Sequence, residues 1–299
     1  MKDRVVLAYD GGLRTSAAIP WLTETHGVEV VTITLDIGQG RDLGELRARA
    51  LACGAGRAHA LDARDEFARD VLLPSLYGHY TDSAYPAIAA LPRPFIAKKL
   101  VEVAAIESAH SVAHGSDHTV LDEEIRSLTP SLRVLAPART WGMDADGVIA
   151  YAKQHRLPVP TLRAGYRVDQ HLWGRVLSWE GDDEPPLVTR QLAEAALVDI
   201  HFEQGVPTAI NGVPMAPAEL IECLSLIAAQ HGIGRLDLAA RDHAGPRRTL
   251  VDAPAAIVLH AAARASGGPI TTDICLRLDE GRFTVLAPDD RESALVNYA

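Results

Sequence analysis

The chain has 299 residues, of which 47% are hydrophobic and 23% are charged. This composition is typical of a globular protein, and the length is enough for one large or two ordinary domains. The formal net charge is −10, and no stretch clusters lysine and arginine. Both features argue against a general nucleic-acid-binding protein, because a phosphate backbone is bound by clustered positive charge.

The cysteines and the lack of a recognisable targeting signal both point to the cytoplasm. Cys53, Cys223 and Cys275 are far apart in apolar surroundings, and we interpret them as buried thiols in a reducing environment. A strand-like stretch begins at Arg4 without a preceding signal peptide, and no apolar run approaches the roughly 18 residues of a membrane span. We therefore expect a cytoplasmic protein with no membrane partner.

The N-terminal stretch predicts a strand, a glycine turn and a helix in succession. Apolar residues run from Val5 to Tyr9, Gly11-Gly12 follows, and helical apolar spacing begins after Thr15-Ser16. In an open α/β sheet this arrangement aims backbone N–H groups and the positive end of a helix dipole at one point beyond the strand. The stretch is therefore suited to binding a phosphate or another anion.

Two charged residues in this stretch, Asp10 and Arg14, allow two interpretations. In the first, Asp10 caps the helix and pairs with Arg14, so that the protein itself fills the anion site. In the second, Arg14 meets a bound phosphate, since the helix dipole disfavours a cation in the first turn unless an anion is near. The residues alone do not decide between the two.

The first half of the chain alternates strands with helices, which predicts a parallel sheet. We expect strands at 28–35, 57–61, 111–114 and 133–135, and helices at 43–53, 62–73 (with Asp62 as N-cap), 95–108 and 144–155. Ligands of such sheets bind at the carboxyl ends of the strands. Those ends carry Asp10 to Gly12, Asp36 to Gln39 and Gly115 to Asp117, so one site is predicted there.

A proline break at 157–160 precedes a second half with an α+β pattern. We expect hairpins around 203–205 and 279–281, a turn at Asn211-Gly212, a strand at 236–240, and helices at 216–231 and 253–265. The boundary between the halves is predicted near residues 160–170.

Several side chains have a functional interpretation beside a structural one. His114, at a strand end, is either catalytic or a buried structural histidine, and His118 with Asp122 has a metal-compatible spacing but no third ligand. Arg93 with Lys98 and Lys99 either reaches an anion or forms an ion-paired surface. The pair Arg247-Arg248 could bind a carboxylate or phosphate, and Asp252 is predicted to cap the helix that follows it.

Several long blocks together resemble the argininosuccinate synthase family of N-type ATP pyrophosphatases. The similar blocks are VVLAYDGGLRTSAAIPWL, VTITLDIGQG, RPFIAKKLVEVA, SVAHG, LRVLAPART, DQHLWGR, VPTAINGVPMAPAELIECLSLIAAQHGIGRLDL and DAPAAIVLHAA. The first block resembles the family's pyrophosphate loop. The resemblance implies an α/β fold, with a parallel-sheet nucleotide-binding domain at residues 1–165 and an α+β synthetase-type domain at 166–299.

The resemblance also implies an activity, cofactors and site residues. The family uses ATP, with Mg²⁺, to adenylate the ureido oxygen of citrulline, and the amine of aspartate then displaces AMP. The residues that correspond to its catalytic positions are Arg14 and Asp117. Those implied in ATP and pyrophosphate binding are Ala8, Asp10, Gly11, Gly12, Thr15, Ser16, Asp36, Gln39 and Gly115. Those implied in binding an amino-acid-like substrate are Tyr85, Arg93, Asp117, Arg167, Arg247 and Asp252, and no residue is assigned as a protein ligand for a metal.

The chain departs from the family pattern at functional positions. Asp10 stands where the family's loop has serine, Arg14 where it has aspartate, and the segment after Gly115 lacks a glycine-rich portion. Citrulline-site positions also differ, including Arg167, and the family's C-terminal assembly arm has no counterpart, which disfavours its tetramer and leaves a homodimer compatible. We therefore expect a ligase with substrates altered from citrulline and aspartate. The alternatives are a ligand-binding or regulatory pseudoenzyme and, last, the parental activity.

Overall fold

A computed structural model describes residues 3–77, 90–159, 166–180, 193–242 and 245–287. The chain forms two compact units: residues 1–63 with 91–163 (unit 1), and residues 64–90 with 164–299 (unit 2). The sequence predicts contiguous domains at 1–165 and 166–299, and the structure differs because residues 64–90 belong to unit 2.

The described part of the chain contains fourteen strands and ten α-helices. The strands are β1 (Arg4–Ala8), β2 (Glu29–Asp36), β3 (Arg57–Asp62), β4 (Ser111–Ala113), β5 (Arg133–Leu135), β6 (Tyr166–His171), β7 (Gly174–Glu180), β8 (Ala196–Glu203), β9 (Val206–Ile210), β10 (Val213–Pro214), β11 (Arg235–Asp242), β12 (Gly245–Asp252), β13 (Thr272–Asp279) and β14 (Arg282–Val285). The helices are α1 (Leu13–His26), α2 (Leu43–Ala52), α3 (Arg64–Phe67), α4 (Leu73–Ser75), α5 (Pro92–Ile106), α6 (Val120–Leu128), α7 (Pro137–Thr140), α8 (Ala145–Gln154), α9 (Pro217–Gln230) and α10 (Pro254–Ala265).

Unit 1 is built on a parallel sheet in the order β3-β2-β1-β4-β5. Alternate residues of β1 face opposite sides, so Val5 and Leu7 join one core cluster and Val6 joins the other. The strand order reverses direction beside β1, and a ligand crevice is expected at the carboxyl ends of strands at such a point. The predicted parallel α/β fold of this half is confirmed.

Unit 2 contains two antiparallel sheets, in the orders β10-β9-β8-β13-β14 and β11-β12-β7-β6. The two predicted hairpins are present as β8–β9 and β13–β14, which confirms the α+β pattern of this half. Strands β6, β7 and β12 and helix α7 were not predicted. Exposed polar residues in β6 hide the apolar alternation that identifies a half-buried strand.

The helix predicted at 62–73 starts later and belongs to unit 2. Asp62 is the last residue of β3, paired with Asp36, so its prediction as an N-cap is wrong. A π-helical turn (Ala68–Leu72) joins α3 and α4. The Asp65 carboxylate accepts a hydrogen bond of 3.0 Å from the Ala218 N–H, and Tyr77 donates one of 3.0 Å to the Gly205 carbonyl. These bonds attach the segment to the elements of unit 2.

Membrane insertion through a helix finds no support in the described residues, where no helix is long and apolar enough to cross a bilayer.

Two glycines with a left-handed backbone allow a matched test of packing in unit 2. Gly234 has φ +93°, and a Cβ there would lie within 3.0 Å of the backbone of Ala253 and Pro254, whereas Gly212 has φ +75° and nothing within 4 Å. We expect Gly234→Ala to cost about 3 kcal/mol of stability, since strain and overpacking combine. Gly212→Ala, which adds strain alone, should cost about 1 kcal/mol.

Urea unfolding followed by tryptophan fluorescence measures both variants, since Trp173 and Trp179 are buried in unit 2. Equal midpoints for the two variants would contradict the packing argument.

Candidate functional site

The turn between β1 and α1 is occupied by the side chain of Asp10. Its Oδ1 accepts a 2.8 Å hydrogen bond from the Gly12 N–H and a second bond from the Thr15 hydroxyl. Gly11 has φ +74°, and Gly12 is the N-cap residue of α1. The Asp10 carboxylate therefore takes up donors at the amino end of α1, where the helix dipole favours a negative charge. The chain thus places its own carboxylate in this turn, as the first interpretation expects. Asp10 bonds the Gly12 N–H and the Thr15 hydroxyl and no backbone N–H within α1, so the predicted capping of the helix is not found.

The predicted pairing of Asp10 with Arg14 is wrong, because Arg14 pairs with Asp117. Arg14 Nη1 and Asp117 Oδ2 are 3.1 Å apart, and both side chains are nearly half exposed. A Cβ on Gly115 would meet the Thr15 side chain at 2.8 Å, so the loop after β4 passes directly over the first turn of α1. That close approach brings Asp117 to Arg14.

The Arg14–Asp117 pair changes the acidity of the carboxyl group. Burial raises the pKa of Asp117, but the hydrogen bond and charge of Arg14 outweigh that effect, and the net pKa lies below the ordinary aspartate value. Asp117 is therefore ionised at neutral pH.

Two arginines that were not predicted as site residues donate hydrogen bonds to backbone carbonyls of the same turn. Arg41 Nη1 donates to the Asp10 carbonyl at 2.9 Å, and Arg49 Nη1 donates to the Gly11 carbonyl at 3.2 Å. Arg49 lies on α2, three residues after Leu46, whose side chain also faces Gly11. That i, i+3 spacing on one helix face was the available signal. The turn is therefore anchored through its carbonyls as well as its N–H groups.

Ser16 is placed apart from any ligand surface, although it was predicted to bind nucleotide. It is 0% exposed, and its hydroxyl lies 3.0 Å from the hydroxyl of Tyr9. Burial raises the pKa of Tyr9 to about 12, so the phenol is neutral. Ala8 is half-buried at the end of β1, in register with Ile33 of β2.

The end of β2 forms a closed turn beside that loop. Asp36 Oδ1 accepts from the Gly38 N–H at 2.9 Å, and Gln39 Oε1 accepts from the Ile37 N–H at 2.7 Å. The Gln39 amide also donates to the Leu35 carbonyl at 3.2 Å. The structure thus places Asp36 and Gln39 at the same sheet edge as Asp10 and Gly115, as the sequence predicts for carboxyl ends of parallel strands.

The metal hypothesis for His118 and Asp122 is not supported. Asp122 is 3% exposed and bonds to His114, Arg126 and Arg139. Among the described residues, no group of three or more His, Cys, Asp or Glu side chains is arranged to hold a metal ion. His114 is also buried, at 2% exposure, which favours its structural interpretation.

Two of the other predicted anion-binding cations of unit 1, Lys98 and Lys99, lie near a carboxylate. Lys99 lies 2.9 Å and Lys98 4.0 Å from the Glu102 carboxylate on the next turn of α5. Arg93 is half-buried in the first turn of the same helix. For the two lysines, these contacts favour an ion-paired surface over an anion-binding site.

The predicted substrate residues of unit 2 are placed as follows. Asp252 is 4% exposed on β12 and accepts hydrogen bonds of 3.0 and 3.2 Å from Arg175, while Ala253 is the N-cap of α10 without a side-chain cap bond. The capping prediction for Asp252 is therefore wrong: Arg175 on the neighbouring strand β7 takes its carboxylate.

Arg167 is exposed on β6, opposite Ser178. The backbone of Arg247 on β12 is in register with Ala240 of β11 and Glu180 of β7. Arg248 forms a 2.6 Å ion pair with Asp237 and lies over the Trp179 ring. Tyr85 lies outside the described residues.

Comparison with known proteins agrees with this arrangement. Residues 4–158 match the model described as the argininosuccinate synthase N-terminal HUP domain, and residues 186–273 match the argininosuccinate synthase C-terminal domain. An argininosuccinate synthase of Dehalococcoides mccartyi is 38% identical over 285 residues, 89% of this chain and 70% of that protein. Those of Listeria welshimeri and Streptococcus thermophilus are 41% and 40% identical over 278 residues, 86% of this chain and 69% of each relative. The resemblance found in the sequence is thereby confirmed, and the chain belongs to the argininosuccinate synthase family of ATP-dependent ligases.

Proposed function

We propose that the chain is a ligase that uses ATP to adenylate a ureido or carbonyl oxygen, with release of pyrophosphate and attack by an amino-acid amine. The main support for this proposal is the 3.1 Å ion pair between Arg14 and Asp117 beside the amino end of α1. A half-exposed ion pair contributes only about 0–1 kcal/mol. Arg14 can therefore leave Asp117 at little cost and bind a phosphate held at the helix terminus.

The residues around the turn fit a phosphate only after Asp10 withdraws. The Gly12 N–H and the Thr15 hydroxyl are the donors a phosphate would use, and the Asp10 carboxylate holds both. If it stayed, a unit charge 4 Å from the phosphate would repel it by about 4 kcal/mol at an effective dielectric near 20. Arg14, Arg41 and Arg49 offset part of that repulsion.

Mg²⁺ would be bound together with the nucleotide. The described residues contain no ready cluster of metal ligands, and protein-bound Mg²⁺ commonly takes one or two carboxylates plus substrate phosphates. Asp10, in the turn, and Asp117, paired with Arg14, are the carboxylates that we propose for this role. The ion would supply neutralisation of charge on the leaving pyrophosphate.

We further propose that the substrates differ from citrulline and aspartate. In support, Asp252, which the family resemblance places in substrate binding, is buried and engaged by Arg175. Arg167 presents a cation where the family has a hydroxyl. We propose an amino-acid-like substrate of different charge. We also propose that the protein acts in the cytoplasm, as a homodimer and not as the family's tetramer.

One observation favours a second function. Asp10 already accepts hydrogen bonds from the Gly12 N–H and the Thr15 hydroxyl, as expected of a pseudoenzyme that keeps the scaffold and binds a ligand without turnover.

A pyrophosphate-release assay separates the two functions. We expect the purified chain with ATP, Mg²⁺ and pools of amino acids and ureido compounds to release pyrophosphate with at least one pool. Release must depend on that pool, and ATP with Mg²⁺ alone is the control. ATP binding in calorimetry without release from any pool would favour the pseudoenzyme.

Asp10→Ser tests the occupied loop. Removing the carboxylate should tighten ATP binding at least tenfold, because about 1.4 kcal/mol of repulsion corresponds to a factor of ten. Calorimetry with ATP and Mg²⁺ measures the change. Asp42→Ser is the matched control, since Asp42 caps α2 through the Glu45 N–H at 2.9 Å and serine is also a good cap. Equal affinity in Asp10→Ser and wild type would show that Asp10 is not the limiting group.

Arg14→Ala tests the proposed phosphate contact. A lost charge-assisted hydrogen bond is worth about 1.5–3 kcal/mol, so ATP affinity should fall about tenfold or more. Arg47→Ala is the control, because Arg47 is exposed and donates to the Ala58 carbonyl at 3.1 Å. Unaltered ATP affinity in Arg14→Ala would reject the phosphate role.

A further inference from the structure

The loop that carries Asp117 is held by a buried histidine. The His114 Nδ1 accepts a hydrogen bond from the Ser116 N–H at 3.2 Å, and its Nε2 lies 2.8 Å from Asp122 Oδ1. An acceptor at Nδ1 assigns the ring proton to Nε2, which donates to the carboxylate. Burial lowers the pKa of His114 despite the opposing effect of Asp122, so the ring is neutral and can accept at Nδ1.

The carboxylate of Asp122 connects this histidine to an arginine. Its Oδ2 accepts from Arg139 Nη2 at 2.6 Å and from Arg126 Nη2 at 3.3 Å. Burial raises the pKa of Asp122, but the bonds from Arg139 and His114 outweigh it, and the net pKa lies below the ordinary value. Asp122 is therefore a buried, ionised carboxylate satisfied on both oxygens.

Arg139 completes the connection by returning to the loop. Its Nη1 donates to the His118 carbonyl at 2.8 Å, while its Nη2 binds Asp122. Within the loop, the Ser116 hydroxyl accepts from the His118 N–H at 3.1 Å. The backbone is thus fixed immediately before Asp117, through Ser116, and immediately after it, through His118.

We infer that His114, Asp122 and Arg139 form a buried clamp of positioning residues that holds Asp117 opposite Arg14. The Arg14–Asp117 pair is too exposed to fix its own geometry, because two half-exposed side chains gain little from pairing in water. The position of Asp117 must therefore come from its backbone. This inference rests on the proposed function for the part that Asp117 plays, but the clamp itself is independent of any ligand.

The clamp is tested by the titration of Asp117, followed by NMR in protein with ¹³C-labelled aspartate carboxyl groups and assigned by the signal missing in Asp117→Asn. Arg14→Ala, which removes the pairing cation, sets the shift expected for full loss of the pair. In Asp122→Asn and Arg139→Gln we expect the pKa of Asp117 to rise toward the value in Arg14→Ala. Loss of the Asp122 charge alone would lower the pKa of Asp117, so a rise in that variant reports displacement of the loop.

Glu123→Gln is the matched control, since Glu123 is an exposed carboxylate in the same turn of α6, and it should leave the Asp117 titration unchanged. If Asp122→Asn fails to fold, Arg139→Gln is used instead, because Arg139 is one quarter exposed. Loss of a cation alone raises the pKa of Asp117, so Arg126→Gln, which removes an equal charge beside Asp122, is its control. The clamp predicts the larger rise in Arg139→Gln, because Arg139 also donates to the His118 carbonyl. An Asp117 titration in folded Arg139→Gln equal to that of wild type would overturn the clamp.

A second readout keeps the two proposals separate. We expect ATP affinity in Arg139→Gln to be about tenfold weaker than in wild type, by calorimetry. A wild-type chain that binds no ATP would reject the proposed function, and the NMR titration would still decide the clamp.

Discussion

The site depends on the hydrogen bonds that the Asp10 carboxylate accepts at the amino end of α1. This carboxylate lies where a strand–turn–helix of this kind favours an anion, and it accepts hydrogen bonds from the Gly12 N–H and the Thr15 hydroxyl. Arg41 and Arg49 hold the carbonyls of the same turn. The loop is therefore shaped for an anion while its own side chain supplies one, and any ligand competes with an intramolecular group.

Charged side chains of both signs surround that loop. One negative side chain lies in the turn and another, Asp117, lies at its rim, while three arginines reach the turn or its rim from α1, α2 and the loop after β2. A phosphate would gain the arginines and displace the carboxylates. The two proposed functions, turnover of ATP and binding of a ligand without turnover, therefore differ in how a few charged groups on this parallel sheet respond to an anion.

Local patterns in the sequence predicted the parts of the site that follow directly from strands. Gly11, Asp36 and Gly115 come after apolar runs, and parallel strands must bring those ends to one edge. Arg41, Arg49 and Arg139 were not predicted, because each donates to a backbone carbonyl of a distant segment. The local signal at Arg49, its i, i+3 spacing from Leu46 on α2, does not identify the segment that it contacts. Asp252 was mistaken for a cap for the same reason: its partner, Arg175, comes from a strand 77 residues away in sequence. Long-range arginine pairing is a property of the folded chain.

The placement of residues 64–90 in unit 2 sets an order in which the chain can acquire its structure. Phe67, Leu72 and Leu76 are buried, yet α9, which contacts this segment, begins only at Pro217. Unit 1 in turn must wait for residues 91–163 to place β4 beside β1. Such non-local pairing slows folding and leaves apolar surface exposed meanwhile. During synthesis, the segment emerges long before its partners, so nascent chains shorter than about 220 residues carry uncovered apolar side chains that chaperones recognise.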